Sequence, residues 1–211
     1  MTANRLYLYT RFERFWHWAQ ALLILVLLAT GFEIHGAYTL MGFGTAFVVH
    51  NTCAWTWLVL YAFIVFWIMT TGEWRHYVPT FVKMFAVLRY YAVGIFKGEP
   101  HPVPKSSRVK HNPLQRITYL GLVSVLVPFQ MLTGYLYYFY SHWPQLGWGW
   151  ELGTMALLHT AGAFGFLVFL IVHVYMTTTG HTVGAHIKAM FTGYEELEPK
   201  SKTPETPEYH V

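Results

Sequence analysis

The sequence predicts an all-α integral membrane protein, a bundle of four transmembrane helices. Its 211 residues are 55% hydrophobic and 19% aromatic but only 11% charged, where a water-facing domain carries roughly 25% charged residues. Four stretches run almost free of Asp, Glu, Lys and Arg, and each reaches the roughly 20 residues of helix that cross a hydrocarbon core. Period-two alternation is absent, which argues against a membrane β-barrel. The same composition excludes a disordered chain, an ordinary cytosolic enzyme and a nucleic-acid binder. A single cysteine, Cys53, removes a disulfide scaffold, a Cys-ligated iron–sulfur or zinc centre, and covalent haem attachment through C-x-x-C-H.

The first span runs from Phe15 to about Ile34 (15–34), with Glu33 at its far end. Its apolar run is too long for a signal peptide and no A-x-A-like site follows, so a retained helix is expected. The uncharged interval Ile34–Gly72 is too long for one helix. Gly36, Gly42 and Gly44 mark a turn in it, leaving a second span of about 46–71. The third covers about 117–140, with Pro128 expected to kink it. A turn at Ser141–Gly149 then leads to the fourth, about 152–179. Between the second and third spans, Pro79 is expected to open a helix running to about Phe96 along the cytoplasmic membrane surface. Gly98–Lys110 reads as a Pro-rich basic loop. Residues 1–194 thus form one four-helix domain, and 195–211, with three prolines and many charges, an extended cytoplasmic tail suited to lie over a partner.

Orientation follows from the cations. With four crossings all 14 Lys and Arg fall on one side, and the connections 35–45 and 141–151 have none. The bias places both termini in the cytoplasm of a bacterial inner membrane. It also accounts for the net charge of +4 without a nucleic-acid partner.

Ionisable residues inside spans are costly and point to function. Four of the 12 histidines lie there: His17, His50, His159 and His173. The topology puts His17 and His173 near the inner face, and His50 and His159 near the outer one. The 14 residues from His159 to His173 return the helix to within about 40° of the same face, about 21 Å further along its axis. Two bis-histidine levels follow. Paired neutral imidazoles suit six-coordinate haem iron and electron transfer. Zinc needs three or four ligands, and no Cys, Asp or Glu lies at these depths. Core histidines bonded to carbonyls are the plainer reading, against which two matched levels weigh. Gly121, Gly134, Gly162 and Gly165 would admit flat macrocycles, or equally close helix packing. Cys53, one turn from His50, fits as a packing residue.

RFERFWHW (Arg11–Trp18), the His at the start of the second span and LLHTAGAFGFLVFLIVHVYM (Leu157–Met176) resemble the dihaem cytochrome b subunits of respiratory formate dehydrogenases, nickel–iron hydrogenases and thiosulfate reductases. The likeness covers about residues 5–195, and the stretch TTTGHTVGAHIKAMFTGYEE looks most like the thiosulfate-reductase type. The resemblance implies two b haems, with His17/His173 ligating the inner iron and His50/His159 the outer one. It also implies a quinone, menaquinone or ubiquinone, on the cytoplasmic side, contacted through a K-x-N-x-x-Q-[KR] pattern. KHNPLQR (Lys110–Arg116) fits, making Asn112 and Gln115 the candidate quinone contacts, with His173 adjoining. Pro113 and Leu114 replace smaller residues of that pattern, and Asn112–Pro113 is also a helix-start signal in its own right. Arg11 and Arg14 stand near the expected propionates of the inner haem, where they also serve positive-inside topology. His181 and His186 are placed to assist proton uptake.

The expected function is a membrane dihaem cytochrome b subunit. It would carry electrons across the bilayer between an outer-face, periplasmic iron–sulfur or multihaem subunit and a quinone near the cytoplasmic face. No catalytic acid or nucleophile stands out, so a subunit of a respiratory-chain oxidoreductase complex is expected rather than a complete enzyme. Two alternatives remain: a stand-alone cytochrome b oxidising a small reductant such as superoxide, and a haem-free membrane anchor. Trp143, Trp148 and Trp150 form an aromatic strip on the outer side, suited to docking or to interfacial anchoring.

Overall fold

The computed structural model describes residues 5–103, 110–180 and 182–196. Its first long helix, α1 (Arg11–Ile34), begins where Thr10 and Glu13 form a capping box. The Thr10 hydroxyl accepts from the Glu13 N–H at 3.2 Å, and the Glu13 carboxylate accepts from the Thr10 N–H at 2.7 Å. This reciprocal satisfaction of two orphan donors starts the helix four residues ahead of the apolar run. At the other end one oxygen of buried Glu33 accepts from the N–H groups of Leu40, Met41 and Gly42 at 2.7–2.8 Å. The turn at the end of the bundle away from the chain termini, the outer end by the expected orientation, is thereby gathered onto one carboxylate, with Gly36 and Gly42 at positive φ. Gly44 lies inside α2 (Phe43–Thr71), which starts earlier than the glycine pattern suggested.

The third span, Pro113–Tyr138, consists of α4 (Pro113–Gly121), a π-helical turn at Leu122–Leu126, and α5 (Val127–Tyr138). Pro128 accounts for the wide turn. In the π register the Val127 N–H reaches the Leu122 carbonyl, and the Val123 carbonyl would next look to residue 128, which has no N–H. The Tyr61 hydroxyl of α2 donates to that carbonyl instead, at 2.9 Å. Tyr135 returns a second cross-helix bond to Ala54 O at 3.0 Å. The fourth span is α6 (Leu152–Thr177), reached through two 3-10 turns, Tyr140–His142 and Pro144–Leu146.

The helices pack mainly as two hairpins, α1 on α2 and α5 on α6. A shared core of Trp57, Val127, Met131 and Phe166, flanked by Leu23, Ile24, Leu27 and Leu28, joins them. Outside it, large apolar side chains face outward on every span: Leu22 is 64% exposed, Val59 69%, Val125 66% and Leu157 69%. Such a surface is stable only in hydrocarbon. The chain is a multi-pass membrane protein.

The 72–103 segment corrects one expectation. Pro79 opens no helix; Lys83 takes a left-handed conformation (φ 59°), and α3 (Met84–Arg89) begins after it. A π turn at Tyr90–Gly94 and a 3-10 turn at Ile95–Lys97 continue it. Met84 and Val87 are buried while Phe81, Phe85 and Phe96 face outward. Short-range sequence signals gave no sign of α7 (Ala185–Thr192) or of the two strands that tie the chain ends. In these, β1 (Arg5–Tyr7) pairs antiparallel with β2 (Tyr194–Glu196), Tyr7 opposite Tyr194. The expected tail therefore starts as a paired strand; residues 197–211 and 104–109 lie outside the described residues.

Lys110 ties the inner ends of three spans together. Its ammonium lies 3.1 Å from Glu13 Oε1 and 3.1 Å from Glu73 Oε2. Burial works against the charged amine, but the two carboxylates outweigh it and raise its pKa above the usual lysine value. A raised pKa stabilises the fold fully below the unfolded value of about 10.4, and that contribution is lost as pH rises through the folded pKa. Lys110→Met, which leaves two carboxylates facing each other, is expected to cost about 2 kcal/mol. Thermal unfolding in detergent from pH 7 to 11 checks both points: the native chain should lose stability above about pH 10, and the variant should lack the part of that loss owed to Lys110.

Candidate functional site

The four intramembrane histidines meet as two pairs. His17 of α1 and His173 of α6 have ring centroids 6.1 Å apart. His50 of α2 and His159 of α6 are 6.3 Å apart. Imidazoles on opposite sides of one metal ion, each nitrogen about 2.0 Å from it and each ring centre about 1.2 Å further out, have centroids about 6.4 Å apart. Both separations match that value. Among the described residues no group of three or more His, Cys, Asp or Glu converges as a metal cage, so each pair stands by itself rather than as part of a larger cluster. Phe166 lies seven residues from either α6 histidine and meets Trp57 edge to face at 5.5 Å. An aromatic layer thus separates the two levels.

The surroundings of the pairs differ. In the outer pair, Nδ1 of His50 lies 2.9 Å from the Thr30 hydroxyl, and Nδ1 of His159 lies 3.2 Å from the Thr133 hydroxyl. Gln130 Nε2 lies 3.3 Å from His159 Nε2. In the inner pair, His17 Nδ1 is buried with no hydrogen-bond partner among the described residues, Trp18 stands edge-on to the His17 ring, and Phe169 stacks on His173. In each pair two imidazoles face each other at a separation that would admit one metal ion between them, and imidazole nitrogens are ligands that haem iron takes. The residues present therefore fit haem iron.

The glycines sort by what they face. A Cβ on Gly134 would come within 2.8 Å of His159 Cε1, and one on Gly31 within 3.3 Å of His50 Cε1. Gly134 thus makes room for the His159 imidazole. Gly162 packs against Gln130 and Phe129, and Gly165 against Leu126, while Gly121 faces open space. Thr30, Gly31, Gln130 and Thr133 were not evident as site residues. The signal for the threonines and Gly31 was the Thr-Gly dipeptide occurring in both the first and third spans; Gln130 had none.

At the inner end Asn112 and Gln115 form a reciprocal capping box at the start of α4, with bonds of 2.9 and 3.0 Å. Asn112 Nδ2 also donates to the Tyr91 hydroxyl at 3.0 Å. Burial raises the Tyr91 pKa against the opposing effect of that bond, and burial with nearby carboxylates raises Tyr9 and Tyr77. These phenols stay protonated at neutral pH. Arg14 donates to the Phe191 and Thr10 carbonyls, and Arg11 is exposed beside it. His186 lies 3.5 Å from Glu195; His181 is outside the described residues. On the outer side Trp143 is buried and donates to Leu136 O. Only Trp148 and Trp150 of the expected aromatic strip are exposed.

Comparison with known proteins bears on this arrangement. A family profile described as prokaryotic cytochrome b561 matches residues 8–193. A protein named as a cytochrome, YdhU, in Escherichia coli (strain K12) is 33% identical, over 90% of this chain and 75% of its own length. Proteins named as B-type cytochrome subunits of Ni/Fe-hydrogenases are 29% identical in Cupriavidus necator, over 91% of this chain and 87% of theirs, and 27% identical in Rhodobacter capsulatus, over 80% and 72%. None of these three names bears on the thiosulfate-reductase likeness. No solved structure matches.

The close approach at Gly134 has a direct consequence. Gly134→Ala should displace the His159 ring and cost about 1–3 kcal/mol as an overpacked core position. Gly153→Ala, where a Cβ meets nothing, should be tolerated. Thermal unfolding of the two variants in detergent separates the cases.

Proposed function

The chain belongs to the prokaryotic cytochrome b561 family, and we propose that it is the membrane dihaem cytochrome b subunit of a respiratory oxidoreductase complex. In this reading it carries electrons across the bilayer between an outer-face redox partner and a quinone near the cytoplasmic face. Membership implies b-type haem. The observation that carries the number two is the pair of imidazole sets, 6.1 and 6.3 Å between centroids, at opposite ends of α6.

His17 and His173 would hold the inner haem iron, and His50 and His159 the outer one. When bound, haem with two axial imidazoles supplies a one-electron couple suited to electron transfer rather than to oxygen chemistry. The chain's own residues do the rest. α6 fixes the two sites about 21 Å apart along one face, and Trp57, Val127, Met131 and Phe166 keep the layer between them dry. At the inner end Asn112 and Gln115 present a polar cluster with the Tyr91 phenol. The side-chain N–H of Gln115 lies outside the capping bonds, and it is the group we assign to the quinone carbonyl. Arg11 and Arg14 would face the inner haem's propionates, and His181 and His186 would assist proton uptake to quinone.

The partner is inferred from the relatives' names. Hydrogenase B-type subunits at this similarity favour a complex with hydrogenase-like catalytic subunits, joined through an iron–sulfur or multihaem protein on the outer face. Exposed Trp148 and Trp150 offer that partner an aromatic surface. A subunit role is favoured over a stand-alone superoxide oxidase and over a haem-free anchor. The cationic bias supports an inner-membrane location with both termini cytoplasmic, and outward Phe81 and Phe85, before and within α3, support a segment lying on the inner surface.

The pairing is tested by single substitutions. His17→Ala and His173→Ala should each remove the same one of two haems, and His50→Ala and His159→Ala the other, measured by reduced-minus-oxidised spectra normalised to protein. If His17→Ala removed the component lost in His50→Ala, the assignment would be wrong.

A further inference from the structure

We infer that Thr30 and Thr133 are positioning residues that fix the tautomer of the outer histidine pair and hold the outer site at a lower reduction potential than those histidines would have without them. This rests on the reading of His50 and His159 as axial ligands.

The direction of each hydrogen bond follows from where the threonine proton goes. Thr30 Oγ1 donates to the Val26 carbonyl at 2.7 Å, so toward His50 Nδ1 at 2.9 Å it has only lone pairs to offer. Thr133 Oγ1 likewise donates to the Phe129 carbonyl at 2.8 Å and meets His159 Nδ1 at 3.2 Å as an acceptor. Each ring therefore carries its proton on Nδ1, and Nε2 keeps the lone pair that a metal needs.

Threonines that bond back to their own helix are common in apolar helices, and Thr52, Thr56 and Thr70 do so here. Those three are exposed. Thr30 and Thr133 are 1% and 4% exposed, and each alone adds an imidazole. Each is also followed by the glycine on which the imidazole rests, Gly31 and Gly134. The arrangement occurs twice, once per hairpin, with the Thr-Gly pair on α1 or α5 and the histidine on α2 or α6. The inner pair has no counterpart: His17 Nδ1 has no partner among the described residues.

A hydrogen bond that accepts from Nδ1–H makes an imidazole a stronger donor to its metal. Stronger axial donation favours the ferric form and lowers the potential. Two such bonds at the outer site and, among the described residues, none to His17 at the inner one make the two sites chemically unequal, although both are bis-histidine.

The test compares Thr30→Val and Thr133→Val with Thr30→Ser and Thr133→Ser in the full haem-loaded chain. Spectroscopic redox titration is the readout, and the outer component is identified as the one that His50→Ala removes. The valine variants should raise the outer potential and leave the inner one in place, and the serine variants should keep the native value. If valine instead costs the outer haem, the serine variants decide: a native outer potential supports the inference, and a raised one overturns it. Valine variants with two haems and an unmoved outer potential would overturn it. So would serine variants that behave like valine, since the methyl group would then be responsible. If His50→Ala and His159→Ala left haem content and both potentials as they were, the ligand reading itself would fail and the inference with it.

Discussion

No water reaches a hydrocarbon core, so every polar atom placed there must find its partner inside the protein. Much of this structure is the consequence. The Val123 carbonyl, deprived of an N–H by Pro128, takes the hydroxyl of Tyr61 from a neighbouring helix. Glu33 collects three backbone donors at the outer turn, and Lys110 collects two carboxylates at the inner end. The histidines meet the same constraint unequally. The outer two lean on buried threonines, and His17 keeps a buried nitrogen with no protein partner among the described residues.

The two hairpins solve that problem in parallel. In each, a helix bearing Thr-Gly lies against a helix bearing a histidine, and the missing Cβ brings ring and hydroxyl together. α6 carries a histidine at both levels, so one rigid element fixes the depth of both sites. The aromatic and aliphatic layer around Phe166 keeps the levels apart. The geometry that separates the two sites is therefore the same packing that joins the hairpins.

Much of this was legible in the sequence, because its signals were long-range in length but simple in kind. Charge-free runs gave four spans, and histidine depth gave two levels. What was not legible depended on neighbours. α1 begins at Arg11 because of a capping box, not because apolar residues start there. α3 begins at Met84 rather than at Pro79 because Lys83 adopts a left-handed turn. The β1–β2 pair joins residues nearly a whole chain apart. Thr30, Thr133 and Gln130 carry no charge and so do not stand out in an apolar helix, although each reaches a histidine ring nitrogen. Gly134 stood out, and its protein neighbour is the His159 ring of the facing helix. Asn112 and Gln115 show the opposite difficulty, since one motif serves as a helix cap and as the inferred quinone contact.

Haem stoichiometry tests the central claim most directly. A pyridine haemochrome determination on the purified full chain, normalised to protein, should give two b haems per chain. One haem, or none from a folded preparation made with haem available, would contradict the account of two axial histidine pairs.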